Sequence, residues 1–227
     1  MCRVRPLLRG LALPLANRDM GDWGTGGGSW LNIIFDIGNV LLTFRPREYL
    51  SSLSLDEEHI DLYAKMIFGS SLWLDLDRGI ANEQEVITRL TATYPEHTAG
   101  IRRIFANWYA MFSPVEESIE LLHTLKAEGY RLYALSNFHR EAFHYVRSKY
   151  AWFDLFDGMV ISYEINAIKP EPEIYQALID QYGLAPQESV FIDDVRANLV
   201  GAQALGFHTI HFSSTGELIQ ELFRLLR

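Results

Sequence analysis

Apolar and polar positions along the chain fall into three successive rhythms. Ile33, Ile34 and Phe35 form a short unbroken apolar run, rich in β-branched and aromatic residues. Such a run predicts a strand buried on both faces, as in a parallel sheet. From about Pro46 to Ser113 the spacing is helical throughout. Tyr49, Leu50 and Leu53 share one face, Ile60, Leu62, Tyr63, Met66 and Ile67 another, and Ile101, Ile104, Phe105, Trp108 and Tyr109 a third. Asn82 is placed to cap a helix running through Glu83, Glu85, Val86 and Leu90.

From Val115 onward helices and strands alternate. The pattern predicts helices over Val115–Glu128, Phe138–Ser148, Glu171–Tyr182, Val195–Leu205 and Gly216–Leu226. It predicts strands over Arg131–Leu135, Gly158–Ser162, Ser189–Ile192 and His208–His211. Gly129, Gly183 and Gly206 stand where helices should stop. Alternation of this kind predicts an α/β fold, a doubly wound and mostly parallel sheet with right-handed crossovers. Residues 46–113 then read as an all-helical insert between the first and second strands, and 30–45 with 114–227 as the core that carries it.

Residues 1–29 follow none of these rhythms. Arg3, Arg5 and Arg9 precede any acid, and residues 24–28 are rich in glycine. Arg9 and Pro14 interrupt the only mildly apolar run there. This segment reads as a disordered extension, or a start upstream of the true one, rather than an export signal.

Composition narrows the function classes. The chain has 227 residues, 48% of them hydrophobic, enough for one large domain or a domain with a smaller companion. A net charge of −9 argues against partners such as nucleic acid or an anionic membrane surface. No stretch approaches the roughly 18 apolar residues of a membrane span. Cys2 is the only cysteine, so no internal disulfide can form and a reducing, cytoplasmic location is expected.

Polar residues able to do chemistry follow the strands. Asp36 follows the first, Ser136 and Asn137 the second, Lys169 the third, and Asp193 with Asp194 the fourth. A parallel sheet brings these loops to one edge. Three crowded carboxylates repel unless a cation sits among them, and oxygen ligands favour Mg²⁺. Lys169 adds a positive point charge, and Ser136 and Asn137 add donors. Singly, each group has a plain structural reading: Ser136-Asn137 starts a helix, and Asp193-Asp194 caps one. Their coincidence at one edge favours a site. His139, His144, His208 and His211 read as structural or surface residues, because no carboxylate-histidine spacing supports zinc. Trp73, Trp108 and Tyr109 read as core of the insert, and Asp77-Arg78-Gly79 as a loop that could face a substrate.

The stretches FDIGNV, LSN, IKPEPEIY and FIDDVRANLVGAQALG resemble the four motifs of the haloacid dehalogenase-like (HAD) hydrolases, in order and over about Asn32 to Ser213. The aspartate pair of the fourth motif and the helical insert resemble the small-molecule phosphatases and dehalogenases of that superfamily. DIGNV and the KPE-x-x-IY run look most like the branch containing bacterial glucose-1-phosphate phosphatase. The resemblance implies a Rossmann-like core with strand order 5-4-1-2-3 and residues 46–113 as a specificity cap. It implies a Mg²⁺-dependent hydrolase of small phosphorylated metabolites, sugar-1-phosphates among them, acting through an aspartyl-phosphate.

The roles carry over residue by residue. Asp36 would be the nucleophile and a Mg²⁺ ligand, together with the Gly38 carbonyl and Asp194. Asp193 would act from the outer shell, and Asn198 would orient the acidic loop. Ser136, Asn137 and Lys169 would hold the phosphate, with Arg78 a further substrate contact. One position departs from the pattern: phosphatases of this kind carry a second aspartate two residues after the nucleophile, and here that residue is Gly38. Either the leaving group is acidic enough to need no proton, or another group substitutes (a cap residue, or water held by Asn39), or the chain mainly binds phosphorylated ligands. A dehalogenase also uses such a nucleophile, but Val40 stands where dehalogenases usually carry Thr or Ser.

Overall fold

The computed structural model describes residues 32–225, so the extension expected over 1–29 lies outside the described residues. β1 (Asn32–Phe35) is buried along its whole length. Successive side chains of a strand point to opposite faces. Ile33 and Phe35 therefore join one apolar cluster, with Leu132, Ala134, Val190 and Ile192, while Ile34 joins a second, with Tyr133, Leu135, Val160 and Phe191. Double-sided burial is why the run shows no polar alternation.

β1 pairs in parallel with β2 (Arg131–Ser136) on one side and β4 (Ser189–Asp193) on the other. β3 (Gly158–Ile161) and β5 (His208–His211) add at the edges. The order is β3-β2-β1-β4-β5, all parallel, as the resemblance implied. Phe35 lies in register with Ala134 and Ile192, and the Asp36 N–H donates to the Ile192 carbonyl at 2.9 Å. The tips of the three central strands are thus level, which brings their following residues together.

Between β1 and β2 the chain forms α1 (Pro46–Ser52), α2 (Glu57–Tyr63), α3 (Ser71–Arg78), α4 (Glu83–Thr93) and α5 (Thr98–Phe105). α2 runs on into a π-helical turn, Ala64–Phe68. Asn82 caps α4 as expected, within a reciprocal capping box with Glu85. After it come α6 (Glu116–Ala127), α7 (Arg140–Lys149), α8 (Ser162–Ile165), α9 (Pro172–Tyr182), α10 (Arg196–Ala204) and α11 (Thr215–Leu225). No described helix is long and apolar enough to cross a membrane.

Two local departures from the sequence pattern share one cause. Asp77 and Arg78 are not in a loop: they finish α3, and Gly79 is its left-handed C-cap, with φ 75°. α7 begins at Arg140, two residues later than Phe138. Both follow from Ser162, expected at the end of a strand but here opening α8. Its Oγ donates to the Asp77 carbonyl at 2.5 Å and accepts from the Phe138 N–H at 2.9 Å. Phe138 and His139 are thereby held as loop, and the end of α3 is docked on α8. The Asn166 amide donates to the Arg78 carbonyl at 2.9 Å, and Arg78 returns a bond to the Asn166 carbonyl at 3.3 Å.

Gly79 is required at this joint. A Cβ there would lie 2.4 Å from the Tyr163 carbonyl oxygen, in a backbone conformation that L side chains avoid. Gly79→Ala should destabilise the fold by more than about 1–2 kcal/mol, the left-handed backbone cost alone, as read by urea denaturation. A loss within about 0.5 kcal/mol, the usual range for neutral surface changes, would contradict the close approach.

Candidate active site

Asp36 is the first residue after β1, and it is 7% exposed. Its Oδ1 accepts from the Ile37 N–H at 2.7 Å and from the Ser136 hydroxyl at 2.8 Å, and is ion-paired with Lys169 Nζ at 2.8 Å. Among the described residues Oδ2 accepts no hydrogen bond, so one oxygen is pinned and the other is open. Lys169 donates from the same buried ammonium to Asp193 Oδ2 at 2.6 Å and to the Leu135 carbonyl at 3.0 Å. The ammonium thus makes two hydrogen bonds and two ion pairs, with Asp36 and Asp193. Nζ also sits 5.2 Å above the Phe191 ring.

The supporting side chains are committed to holding this arrangement. Asn137 brackets the Lys169 backbone, accepting from its N–H at 2.7 Å and donating to its carbonyl at 3.1 Å. Its amide therefore fixes the lysine backbone with one N–H, and Asn137 also lines the cavity described below. Asn198 donates to both oxygens of Asp193, at 3.1 and 3.0 Å, and the Val195 N–H adds a third bond at 2.7 Å. Asn39, at φ 54°, ties the turn after β1 to the acidic loop: it donates to Asp194 Oδ2 at 3.1 Å and accepts from the Phe44 N–H at 3.0 Å. Asparagine tolerates that left-handed conformation better than most residues.

Burial pushes the Asp36 carboxyl up to about 7, against the downward pull of Lys169. Burial pushes Asp194 up as well. Burial alone would lower Lys169, but Asp36 and Asp193 together hold it above its ordinary value. One ammonium thus faces more negative charge than it neutralises. Asp36, Asp193 and Asp194 each offer an oxygen within 4.8 Å of the others. With Asp193 held by hydrogen bonds, the carboxylates left to a cation are Asp36 and Asp194, and oxygen donors suit Mg²⁺.

Asp36, Gly38, Lys169 and Asp194 line one cavity of about 180 Å³. Its other wall is aromatic: Phe44, Trp73, Trp108, Phe112 and Phe138. Trp73 and Trp108, expected as core of the insert, are indeed buried but also border this space. Arg78 stands apart. Its guanidinium is paired with Glu171, at 2.7 and 2.5 Å, so it joins the insert to the core and does not line the cavity.

Sequence reasoning passed over a second charged cluster. His139 is 1% exposed, with Nε2 3.3 Å from Glu83 Oε1 and Nδ1 3.7 Å from Asp77 Oδ1. Trp73 and Trp108 pack on its ring at centroid distances of 5.1 and 4.8 Å. Glu83 is itself held by Trp108 Nε1 at 3.1 Å and by the Tyr109 hydroxyl at 2.6 Å. Burial would lower the imidazole, but the two carboxylates outweigh it and hold it above its ordinary value. Only the fold brings these residues together, and no local spacing announces them.

Lys169→Met should leave Asp36 and Asp193 buried without a counter-charge. Breaking such a pair costs roughly 3–5 kcal/mol. The unpaired carboxyls would titrate higher in the folded than in the unfolded chain. Their penalty is therefore small at low pH and grows as pH rises, so the variant should lose more stability at pH 8 than at pH 5.5 in parallel urea titrations. An equal loss at both values would contradict the shared-ammonium geometry.

Comparison with known proteins fits this geometry. The family model for haloacid dehalogenase-like hydrolases matches residues 32–206. The chain is 28% identical over 193 residues to the sesquiterpene phosphatase astK of Aspergillus oryzae, covering 85% of this chain and 95% of that protein. It is 23% identical over 203 residues to D-ribitol-5-phosphate phosphatase of Bacteroides thetaiotaomicron, covering 86% and 98%. Among solved structures, a HAD family enzyme from Bacteroides thetaiotaomicron in complex with magnesium superposes with a TM-score of 0.69 at 25% identity, over 87% of this chain and all of that one (100%). With its motifs at the strand ends and the family match spanning the sheet, the chain belongs to the haloacid dehalogenase-like hydrolases.

Proposed function

We propose that the chain is a Mg²⁺-dependent phosphomonoesterase of small phosphorylated metabolites, working through an aspartyl-phosphate on Asp36. The observation that carries this reading is the Asp36 carboxylate, pinned through Oδ1 by two hydrogen bonds and the Lys169 ion pair, with Oδ2 open to the cavity that Lys169 and Asp194 share. The names of the two phosphatase relatives support the reaction class.

Asp36, Asp194 and the Gly38 carbonyl would hold Mg²⁺, with Asp193 behind them. The ion would supply positive charge to the phosphate oxygens and orient them. Lys169 neutralises charge on Asp36 and on the transferring group, and Ser136 turns its hydroxyl to a phosphate oxygen. Asp36 attacks phosphorus, the ester oxygen leaves, and water then attacks phosphorus to free Asp36. Phosphoryl transfer is mostly positioning and charge stabilisation, which a rigid buried cluster supplies.

Residues 46–113 act as a cap that excludes water and contacts the organic part of the substrate. They line the cavity with Trp73, Trp108 and Phe112, with Asp77 the one charged group among them, so a flat or apolar organic group fits this wall better than a polyol. Each buried sugar hydroxyl left without a partner costs about 1–3 kcal/mol. The lone Cys2 supports a cytoplasmic, reducing location.

Asp36→Asn should abolish phosphate release while leaving the circular dichroism spectrum and melting curve near those of the parent. EDTA in excess should stop turnover reversibly. Phosphate should be the product from phosphate esters with Mg²⁺, and no halide should appear from 2-haloacids. Halide release, or full activity in EDTA, would favour the dehalogenase reading. Trp108→Leu should raise KM for aryl or alkyl phosphates more than for a sugar phosphate, since it removes aromatic contact area. An equal change for both would count against the apolar preference.

A further inference from the structure

The site described above has no general acid at position 38, where the pattern places one. The cavity does hold another titratable pair. Asp77, at the end of α3, and His139, in the loop after β2, line the same space as Asp36. His139 stands three residues after Ser136, whose hydroxyl bonds Asp36. Among the described residues neither ring nitrogen of His139, both buried, has an aligned hydrogen bond, although carboxylates lie 3.3 and 3.7 Å away. A buried polar side chain without a hydrogen-bond partner calls for an explanation.

We propose that His139 is the proton donor and acceptor that takes the place of the missing aspartate, with Asp77 and Glu83 as the residues that position and charge it. The inference rests on the phosphatase reading. In the first step the Asp36–P bond forms and the bond from phosphorus to the ester oxygen breaks. A proton of the His139 imidazolium passes to that oxygen, so an alcohol leaves and the imidazole becomes neutral. In the second step the water oxygen bonds phosphorus, the Asp36–P bond breaks, and the water proton returns to the imidazole. Protons and electron pairs balance over the cycle, and no further reagent is needed.

The surroundings suit the role. From α3 the ring meets Asp77 and Trp73; from α4 it meets Glu83; from the turn Trp108–Met111 it meets Trp108, and Tyr109 acts on it through Glu83. The charged groups facing it are both acids, and they keep the imidazole protonated above the pH at which a free histidine would lose its proton. Buried ion clusters add little to stability on balance, so one that borders a reaction cavity points to chemistry. The arrangement also spans the two parts of the chain: the acids come from the insert and the imidazole from the core. The donor is complete only when the insert is seated.

The test uses the full chain with Mg²⁺ and a series of phosphate monoesters whose alcohols range from acidic phenols to simple alkanols. In His139→Gln, kcat/KM for alkyl phosphates should fall about 10²–10⁴-fold, the usual worth of acid–base help. On the same ratio, which ends at departure of the leaving group and does not report the later water step, phenyl esters with acidic leaving groups should fall far less, so the dependence of kcat/KM on leaving-group acidity steepens. Adding Gly38→Asp to that variant should restore alkyl ester hydrolysis, because the only atom within 4 Å of a Cβ there is Asp36 Oδ2, at 4.0 Å. Asp77→Asn, a milder change, should move the basic limb of the alkyl ester pH profile to lower pH, since it removes a charge that stabilises the imidazolium. An equal loss across all esters in His139→Gln, or an unmoved basic limb in Asp77→Asn, would overturn the assignment while leaving the phosphatase reading in place. Failure of the parent chain to release phosphate from any ester would overturn both.

Discussion

Lys169 places one ammonium between two buried carboxylates, with the Leu135 carbonyl accepting a hydrogen bond from it. Taking such charges out of water is expensive, and their mutual attraction repays it only with excellent geometry and full hydrogen bonding. The chain supplies both. Asn137 brackets the lysine backbone, Asn198 and the Val195 N–H hold Asp193, and Ser136 with the Ile37 N–H holds Asp36. These groups come from the ends of different strands, and they meet because β1, β2 and β4 end level. The parallel register is thus a condition of the electrostatics as well as of the core. The same cluster carries surplus negative charge, which is what a site for a cation and a phosphate group requires.

A second set of bonds ties the helical insert to this floor. Gly79 presses on the Tyr163 backbone, Ser162 bridges Asp77 to Phe138, and Arg78 forks onto Glu171. Glu171 accepts in turn from the Ile168 N–H at 3.1 Å, next to Lys169. The joint is therefore one peptide from the buried lysine, and its other side carries His139.

The sheet was legible because its signals are local. An unbroken apolar run, alternation of helices and strands, and glycine stops define each element within a few residues of its own sequence. The motif-bearing residues Asp36, Ser136, Lys169, Asp193 and Asp194 were legible for a related reason: a parallel sheet gathers its strand ends whatever the loops do. The bracket that Asn137 forms on the Lys169 backbone has no such local signal, because the two loops meet only after folding. Asp77-Arg78-Gly79 reads as a substrate-facing loop because charge beside glycine is common in turns; contact with α8 makes it a helix end, and only Asp77 lines the cavity. His139 looked like any lone histidine. Its two carboxylates come from a segment far upstream, and their approach is a property of packing between insert and core.

Covalent chemistry at Asp36 is the centre of this account, and trapping it is the most direct check. The full chain with Mg²⁺ is mixed with a phosphate ester, quenched in acid within one turnover, digested and weighed by mass spectrometry. The account predicts a phosphoryl adduct on the peptide that carries Asp36, released by hydroxylamine. Steady phosphate release with no adduct there, or an adduct on another residue, would contradict it.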